Sequence, residues 1–319
     1  MPSSAVRTFT DADEYAEGIR GRAELTVTGR GQFRAKLVRI DLHELWMQQH
    51  SDNLSRITYS AKLTGRNVIS FRTQPGPSLL LAGIETQLSA IVRHGGAADW
   101  FYQRSSEPAH YGSMSLPVDR IVALSALAGC DLMAPRDTRS FTPRPSAMAR
   151  LQRLHATAAS LATEAPGIIG NPGAARGLEQ ALIDALVDCL SIGALEEDTA
   201  AKRHHRAIMR RFHTAIEDNS DQPVFLPELC ASIGVTERTL RRCCQEQLGM
   251  APKRFLLLRR MHMVRRALRE AEPLAATVTA IATGFGFWEL GRFAAVYGSL
   301  FGEHPSTTLR YSADFGPNR

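Results

Sequence analysis

The sequence has no run of about 18 apolar residues, which excludes a membrane-spanning helix of ordinary length. The opening stretch MPSSAVRTFTDADEYAEGIR carries early acidic residues and no apolar centre, so no secretory signal peptide is expected. The five cysteines form no CxxC pair and no disulfide-like framework, which favours a reducing compartment. Together these absences predict a cytoplasmic protein without a membrane segment.

The motifs of common enzymes are also missing. The sequence has no P-loop, no GxGxxG stretch and no nucleophile elbow of a Ser-His-Asp hydrolase. A metal-dependent cupin enzyme would need clustered histidines with a carboxylate, whereas His43, His50, His94 and His110 are scattered. We therefore expect no catalytic residue, no metal and no cofactor.

The chain has 319 residues, a length that favours two domains. Charge is distributed unevenly along it. Residues 201–319 hold 18 Lys and Arg against 11 Asp and Glu, a balance of +7. The whole chain has a net charge of +6, so residues 1–200 are near −1. A basic C-terminal third favours a nucleic-acid-binding domain, and a solvated basic face is the alternative.

The N-terminal part has the pattern of an antiparallel β structure. Between residue 22 and about 117, short β-rich runs alternate with Gly, Pro, Asn or Asp clusters, as in a sandwich or barrel without helices between the strands. Helices are expected afterwards, at about 118–129 and 147–193. In the stretch GLEQALIDALVDCLSIGA the apolar residues recur at helical spacing: Leu178, Leu182, Ile183, Leu186, Val187 and Leu190.

A duplication within the last hundred residues is the most informative pattern. Leu229, Cys230, Ile233, Gly234 and Val235 match residues 52 positions later, and Leu240, Cys244, Leu248, Gly249 and Pro252 match residues 53 positions later. The matching residues are Ile281, Ala282, Phe285, Gly286, Phe287, Phe293, Tyr297, Phe301, Gly302 and Pro305. The chain therefore carries two copies of one helical unit.

Each copy is predicted to be a helix-turn-helix. In the first, about 226–247, Gly234 ends one helix and Thr236 is the N-cap candidate of the next. The second helix is expected to pack through apolar residues that include Cys243 and Cys244. Its outward face carries three arginines, Arg238, Arg241 and Arg242. The alternative interpretation is an ordinary helical hairpin with a basic face.

The second copy, about 278–301, has a different outward surface. Phe287, Phe293, Tyr297, Leu300 and Phe301 are expected in its core, which leaves small or apolar residues outside. A helix over about 252–271, with an apolar stripe and six arginines, is predicted to hold the two copies at a fixed separation. Two such units could enter successive major-groove segments about 34 Å apart.

On these residues the sequence resembles the AraC/XylS family of bacterial transcription regulators. The resemblance covers residues 205–312 and includes LxxLCxxxGVTxRTLxRxC from Leu226, GMAPKRFLLLRRM from Gly249 and GRFAxxYxxLFGEHPS from Gly291. It implies an all-α DNA-binding domain over about 205–315, preceded by a linker at 197–204. The overall class is then α+β, with an N-terminal domain of 1–196 that contains the barrel, about 20–130, and the helices.

The resemblance also implies which residues contact double-stranded promoter DNA. Base-reading positions fall on Arg238, Arg241 and Arg242 in the first unit and on Trp288 and Leu290 in the second, where the sequence departs from family members with polar residues. Arginine suits guanine, and apolar side chains suit the thymine methyl group. Residues expected to position the DNA backbone are Thr236, Thr239, Glu289, Gly291 and Arg292.

For the N-terminal domain the resemblance implies a cupin-like sensor followed by dimerising helices. We therefore expect a homodimer that responds to a small-molecule effector. It is expected to recruit RNA polymerase and to activate a catabolic operon. The apolar stripe of the helix over 177–193 is a candidate dimer seam, with packing onto its own barrel as the alternative. Two other functions stay open: a metal-dependent cupin-type enzyme fused to a DNA-binding domain, and a ligand-free regulator controlled by a partner protein.

Overall fold

A computed structural model describes residues 1–96, 100–106, 108–195, 199–219 and 222–311. The chain divides into two compact units. The first comprises Met1–Leu25 and Arg34–Thr199, and the second begins at Ala200 and takes in Thr26–Phe33. Of the expected linker and C-terminal domain end, residues 197–198 and 312–315 lie outside the described part of the chain.

The first unit is built on two antiparallel sheets. The larger has the strand order β1-β3-β4-β11-β6-β9-β12-β13, and the smaller has the order β2-β5-β10-β7-β8. The strands are β1 Ser3–Phe9, β2 Ala23–Val27, β3 Ala35–Asp41, β4 Trp46–Asp52, β5 Arg56–Ala61, β6 Arg66–Arg72, β7 Leu79–Leu81, β8 Ile84–Glu85, β9 Ile91–Arg93, β10 Trp100–Ser105, β11 Ala109–Pro117, β12 Arg139–Pro143 and β13 Gly193–Leu195.

Five helices accompany these sheets: α1 Ala12–Gly18, α2 Val118–Ala128, α3 Pro145–Glu164, α4 Pro166–Gly170 and α5 Pro172–Ser191. The apolar side chains of the larger sheet and of α3 and α5 form one core, with Met47, Phe71, Leu151 and Leu186 among its members. Because successive residues of a strand point to opposite faces, the alternate residues of β4 and β11 face away from this core.

The expected α+β class with an N-terminal antiparallel β structure is confirmed. The predicted starting point of the strands, residue 22, was too late. β1 pairs along its whole length with β3. Helix α1 follows Asp11, its N-cap, whose carboxylate accepts hydrogen bonds from the backbone N–H groups of Asp13 and Glu14. These elements are short, so their periodicity in the sequence is weak.

The apolar stripe of α5 lies inside the first unit. Leu182, Ile183, Leu186 and Leu190 are buried in its core, and Leu178 and Val187 pack against that core. The expectation of a dimer seam on this stripe is therefore wrong, because packing within the chain already covers it. A homodimer that uses other residues stays a prediction.

The second unit is helical. Its helices are α6 Ala200–Glu217, α7 Leu226–Ile233, α8 Glu237–Leu248, α9 Pro252–Glu270, α10 Val278–Gly284, α11 Leu290–Phe301 and α12 Pro305–Tyr311. Residues 200–204 of the segment expected as a linker lie in α6. Leu258, Met261, Val264 and Leu268 of α9 form a core with residues of α10 and α11, as the apolar stripe predicts. No helix of the described residues is long and apolar enough to span a membrane.

Candidate nucleic-acid interface

Helices α7 and α8 form the first helix-turn-helix. α7 ends at Gly234, which adopts a left-handed backbone with φ of 67° that glycine takes without strain. Two residues later Thr236 caps α8, because its hydroxyl accepts a hydrogen bond of 3.2 Å from the backbone N–H of Thr239. The predicted stop and cap are confirmed, and together they fix the entry of the chain into α8.

One face of α8 is buried and holds the helix against the unit. Leu240, Cys243, Cys244 and Leu248 are all inaccessible to solvent, which confirms the expectation that the two cysteines fill apolar space. Burial raises the pKa of the Cys243 thiol to about 11, so this thiol stays protonated at neutral pH. The arginines of α8 must therefore occupy its other face.

The exposed face of α8 carries the three predicted arginines. Arg238 is exposed, and the side chains of Arg241 and Arg242 are 61% and 71% exposed. Arg238 lies in the first turn and Arg242 lies one turn further along, so their side chains project from the same side of the helix. Such a row of guanidinium groups can donate paired hydrogen bonds to guanine or to phosphate.

Two glutamates on the same helix hold two of these arginines. Glu237 Oε1 lies 3.4 Å from Arg241 Nη2 and 3.7 Å from Lys253 Nζ. Glu246 Oε1 lies 3.3 Å from Arg242 Nε. Within the part of the chain that the structure describes, Arg238 has no carboxylate partner. Arg238 is therefore the arginine of this face that can donate to an external acceptor without first breaking an ion pair.

A histidine of helix α6 contacts a glutamate of α8. His205 Nδ1 lies 2.5 Å from Glu246 Oε2, so the carboxylate of Glu246 bridges His205 and Arg242. Sequence reasoning did not identify Glu246 or His205, since their pairing joins residues 41 positions apart. Only the i,i+4 spacing of Arg242 and Glu246 could have indicated part of this arrangement.

Helices α10 and α11 form the second helix-turn-helix, with a longer turn. The hydroxyl of Thr277 caps α10, and Gly286, the duplicate of Gly234, has a φ of 78°. Phe287, Phe293, Tyr297 and Leu300 are buried, as predicted, and Phe301 is partly buried against the same core. The hydroxyl of Tyr297 lies 2.8 Å from that of Thr308 on α12. The one-residue insertion in the duplicate thus lengthens the turn, while the buried positions stay equivalent.

The outward surface of the second helix-turn-helix differs from that of the first. Trp288, just before α11, is 80% exposed, and Gly291, Arg292 and Ala295 are exposed on the helix itself. Leu290 is partly buried against the core. Arg292 Nη1 lies 3.6 Å from Glu289 Oε2. Where α8 presents arginines, α11 and the residues just before it present an aromatic ring, a small-residue surface and one paired cation.

An arginine of α9 contacts an aromatic ring at each helix-turn-helix. The guanidinium carbon of Arg260 lies 5.7 Å from the ring centroid of Phe225, which precedes α7, and 5.0 Å from that of Phe287, which precedes α11. Such contacts are worth about 0.5–1 kcal/mol each at exposed sites. Arg260 therefore helps to hold the residue before α7 and the turn before α11 against the same helix, a role that the sequence did not indicate.

Among the described residues, no group of three or more His, Cys, Asp or Glu side chains could hold a metal ion. The scattered N-terminal histidines have separate surroundings: His50 bonds Tyr15, and His94 bonds Ser70. Burial lowers the pKa of His94 to about 4, so this ring is neutral at physiological pH.

The helical unit is similar to parts of known proteins. A family described as "Helix-turn-helix domain" matches residues 229–311. The probable thc operon regulatory protein of Rhodococcus erythropolis is 34% identical over 136 residues, which cover 39% of this chain and 40% of that protein. The helical unit of the chain is therefore a helix-turn-helix domain, in agreement with the resemblance to the AraC/XylS family.

Other relatives match the same region. The XylDLEGF operon transcriptional activator 3 of Pseudomonas putida is 36% identical over 95 residues, 30% of this chain and 29% of that protein. The solved structure of a probable AraC family transcriptional regulator from Rhodopseudomonas palustris CGA009 is 32% identical, over 33% of this chain and 97% of that one, with a TM-score of 0.30. The chain thus aligns with two-fifths or less of the length of these two curated relatives.

Proposed function

We propose that this protein is a sequence-specific DNA-binding transcription regulator. The observation that carries the proposal is the exposed arginine face of α8, on a helix whose opposite face is buried and whose start is fixed by Thr236. Two relatives that match this region are named as an operon regulatory protein and an operon transcriptional activator. Double-stranded promoter DNA is therefore the partner that we assign to this surface.

The residues divide into two roles on such a duplex. Arg238, Arg241 and Arg242 read bases from the major groove, and Trp288 and Leu290 supply apolar contact in the adjacent half-site. Contacts to the sugar-phosphate backbone position a protein without reading sequence. We assign that positioning role to Thr236, Thr239, Glu289, Gly291 and Arg292.

The first unit of the chain is proposed to be the sensor of this regulator, in a cupin-like arrangement. A small-molecule effector changes the activity of a regulator only if it binds two of its states with different affinity. Activation of a catabolic operon by a homodimer in the cytoplasm, with contact to RNA polymerase, completes the proposal. The activator names of two relatives support the sign of the regulation.

The test is DNA binding at defined salt. The full-length protein is titrated with duplexes from upstream of its own and adjacent operons and with shuffled duplexes of equal composition. We expect at least one native duplex to bind more tightly than its shuffled form. Arg238→Ala combined with Arg242→Ala should remove that preference, at about 1–3 kcal/mol for each bidentate base contact.

Arg153→Ala combined with Arg176→Ala provides the matched control, because both are exposed helical arginines of the first unit and the pair changes net charge equally. Arg238→Lys separates charge from geometry, since lysine keeps the cation but not the planar fork. If the double variant binds every sequence as the wild type does, α8 is not the reading helix. If no native duplex exceeds its shuffled form, the proposed function is wrong.

A further inference from the structure

The space between the two sheets of the first unit is lined by polar side chains. On β4 and β11, the residues that face away from the apolar core include Gln48, His50, Tyr111 and Ser113. On the facing strand β10, Gln103 points into the same space. The inner faces of packed sheets normally interdigitate apolar side chains, so this polarity is not explained by folding.

Two buried charges deep in this interior neutralise each other. Arg56 Nη2 lies 2.8 Å from Asp52 Oδ2, and both side chains are inaccessible to solvent. His50 donates to or accepts from the Tyr15 hydroxyl at 3.0 Å, and burial lowers the pKa of this histidine. The deep interior therefore adds no net charge to the space beside it.

A cavity that is partly open to solvent occupies this space. Apolar groups line one part of its wall, among them Ile19, Leu63 and Phe101. Trp46 forms another part, and the guanidinium carbon of Arg20 lies 4.1 Å from the centroid of its ring. The wall thus suits a molecule with a short apolar portion next to a polar group.

Three buried hydrogen-bond donors that line the cavity lack partners among the described protein groups: Gln48 Nε2, Gln103 Nε2 and Arg20 Nε. Gln48 is 6% exposed, and its Nε2 has no hydrogen-bond partner among the described protein groups. Arg20 Nε is likewise buried and unpartnered, although the Nη2 atom of the same side chain pairs with Asp41. A buried donor without an acceptor is costly, and native proteins rarely keep one without a reason.

We infer that this cavity binds a small molecule that presents a carbonyl or carboxylate oxygen to Gln48 Nε2 and Arg20 Nε, with a short apolar group against Ile19 and Phe101. All three unpartnered atoms, Gln103 Nε2 included, are donors, so the ligand must supply acceptors. An ammonium compound supplies only donors and meets the cation of Arg20. The inference rests on the proposed function in making this ligand the effector, but the binding site itself stands without it.

Three molecules of matched shape test the ligand class on the full-length protein: isobutyramide, isobutyrate and isobutylamine. Thermal unfolding and saturation-transfer NMR should detect binding of the amide or of the acid, and no binding of the amine. Acid alone would identify an anionic ligand, and amide alone a neutral one. Binding of the amine at least as strong as that of the other two, or binding of none of them, would overturn the inference.

Gln48→Leu tests the assigned donor. Removing a donor that has no partner should leave the ligand-free protein at least as stable as the wild type, whereas ligand affinity should fall about three- to tenfold. Gln49→Leu is the matched control, because Gln49 is its neighbour on β4 and points to the opposite face. Lower stability with unchanged affinity would show a purely structural role for Gln48 and contradict the assignment.

DNA binding, measured on the same preparations, separates this inference from the proposed function. Ligand binding in a protein that does not discriminate native from shuffled duplexes would support the cavity and reject the regulator. Sequence-specific DNA binding in a protein that binds none of the three probes would reject the cavity alone. A change in DNA affinity on addition of the probe that binds would show that ligand binding and DNA binding are coupled.

Discussion

Glu246 holds Arg242 on the exposed face of α8, with the carboxylate Oε1 at 3.3 Å from the guanidinium Nε one turn away. The other carboxylate oxygen contacts His205 of α6. An exposed pair of this kind contributes about 0–1 kcal/mol to stability. Its larger effect is on direction, because it limits where the guanidinium of Arg242 can reach.

Glu246→Gln should therefore lower the discrimination between native and shuffled DNA. The change removes a negative charge from the DNA-facing side, so affinity for any duplex should rise at low salt. It also loosens Arg242, so the affinity for the native duplex should rise less than that for the shuffled one. Fluorescence anisotropy over a range of salt concentrations measures both quantities.

Glu272→Gln is the control for that prediction, since Glu272 is exposed in the same unit, outside α8, and its loss has the same effect on net charge. If both variants raise the two affinities by the same factor, Glu246 acts through charge alone and does not orient Arg242.

The second helix-turn-helix should contribute affinity more than base choice. Trp288 is 80% exposed and α11 presents small residues beside it, so contact with DNA buries apolar area without a fixed hydrogen-bond pattern. We expect Trp288→Ala to weaken binding to native and shuffled duplexes by similar factors. Single-base substitution across the site should show a tolerant second half-site, and equal intolerance of both halves would contradict the prediction.

The helical unit could be predicted closely because its information is local and duplicated. Gly234 and Gly249 adopt positive φ where the sequence pattern requires helix ends, and the duplicates Gly286 and Gly302 do the same. A glycine followed by a capping threonine is visible within three residues of sequence. The pairing of His205 with Glu246 was not predictable, because it depends on how α6 packs beside α8.

The interior of the first unit was less accessible to sequence reasoning. β4 has both of its faces largely covered, so Gln48 and His50 alternate with Met47 in burial patterns that do not resemble a half-exposed strand. Polar residues in such a strand suggest solvent exposure. Only the three-dimensional structure, in which β4 pairs with β3 and β11, shows that they line a cavity between the two sheets.

Thr236→Ala should destabilise α8 by about 1 kcal/mol, because the variant loses the hydroxyl that accepts from the Thr239 N–H. Thr236→Ser keeps this hydroxyl and should stay within a few tenths of a kcal/mol of the wild type. Native-state hydrogen exchange of the α8 amides measures the difference. Equal protection in all three proteins would show that packing of the buried face alone fixes the start of α8.

The first unit should lose stability in mild acid through its buried histidines. His155 of α3 is inaccessible to solvent, its Nε2 lies 3.2 Å from the carbonyl oxygen of Gln48, and burial lowers its pKa to about 4. The unfolded chain has the ordinary value near 6.5 and binds more protons below it. Stability is therefore full above about pH 6.5 and falls as the pH decreases toward 4.

For His155 alone this linkage predicts a loss on the order of 2 kcal/mol between neutral pH and pH 5. Trp46 and Trp100 both lie in the first unit, so urea unfolding in a Trp288→Phe background follows that unit by fluorescence. His155→Gln replaces the titrating ring by a neutral amide that can still donate to a carbonyl. The variant should lose less stability between pH 7 and pH 5 than the background protein, and an unchanged loss would mean that His155 does not titrate on unfolding.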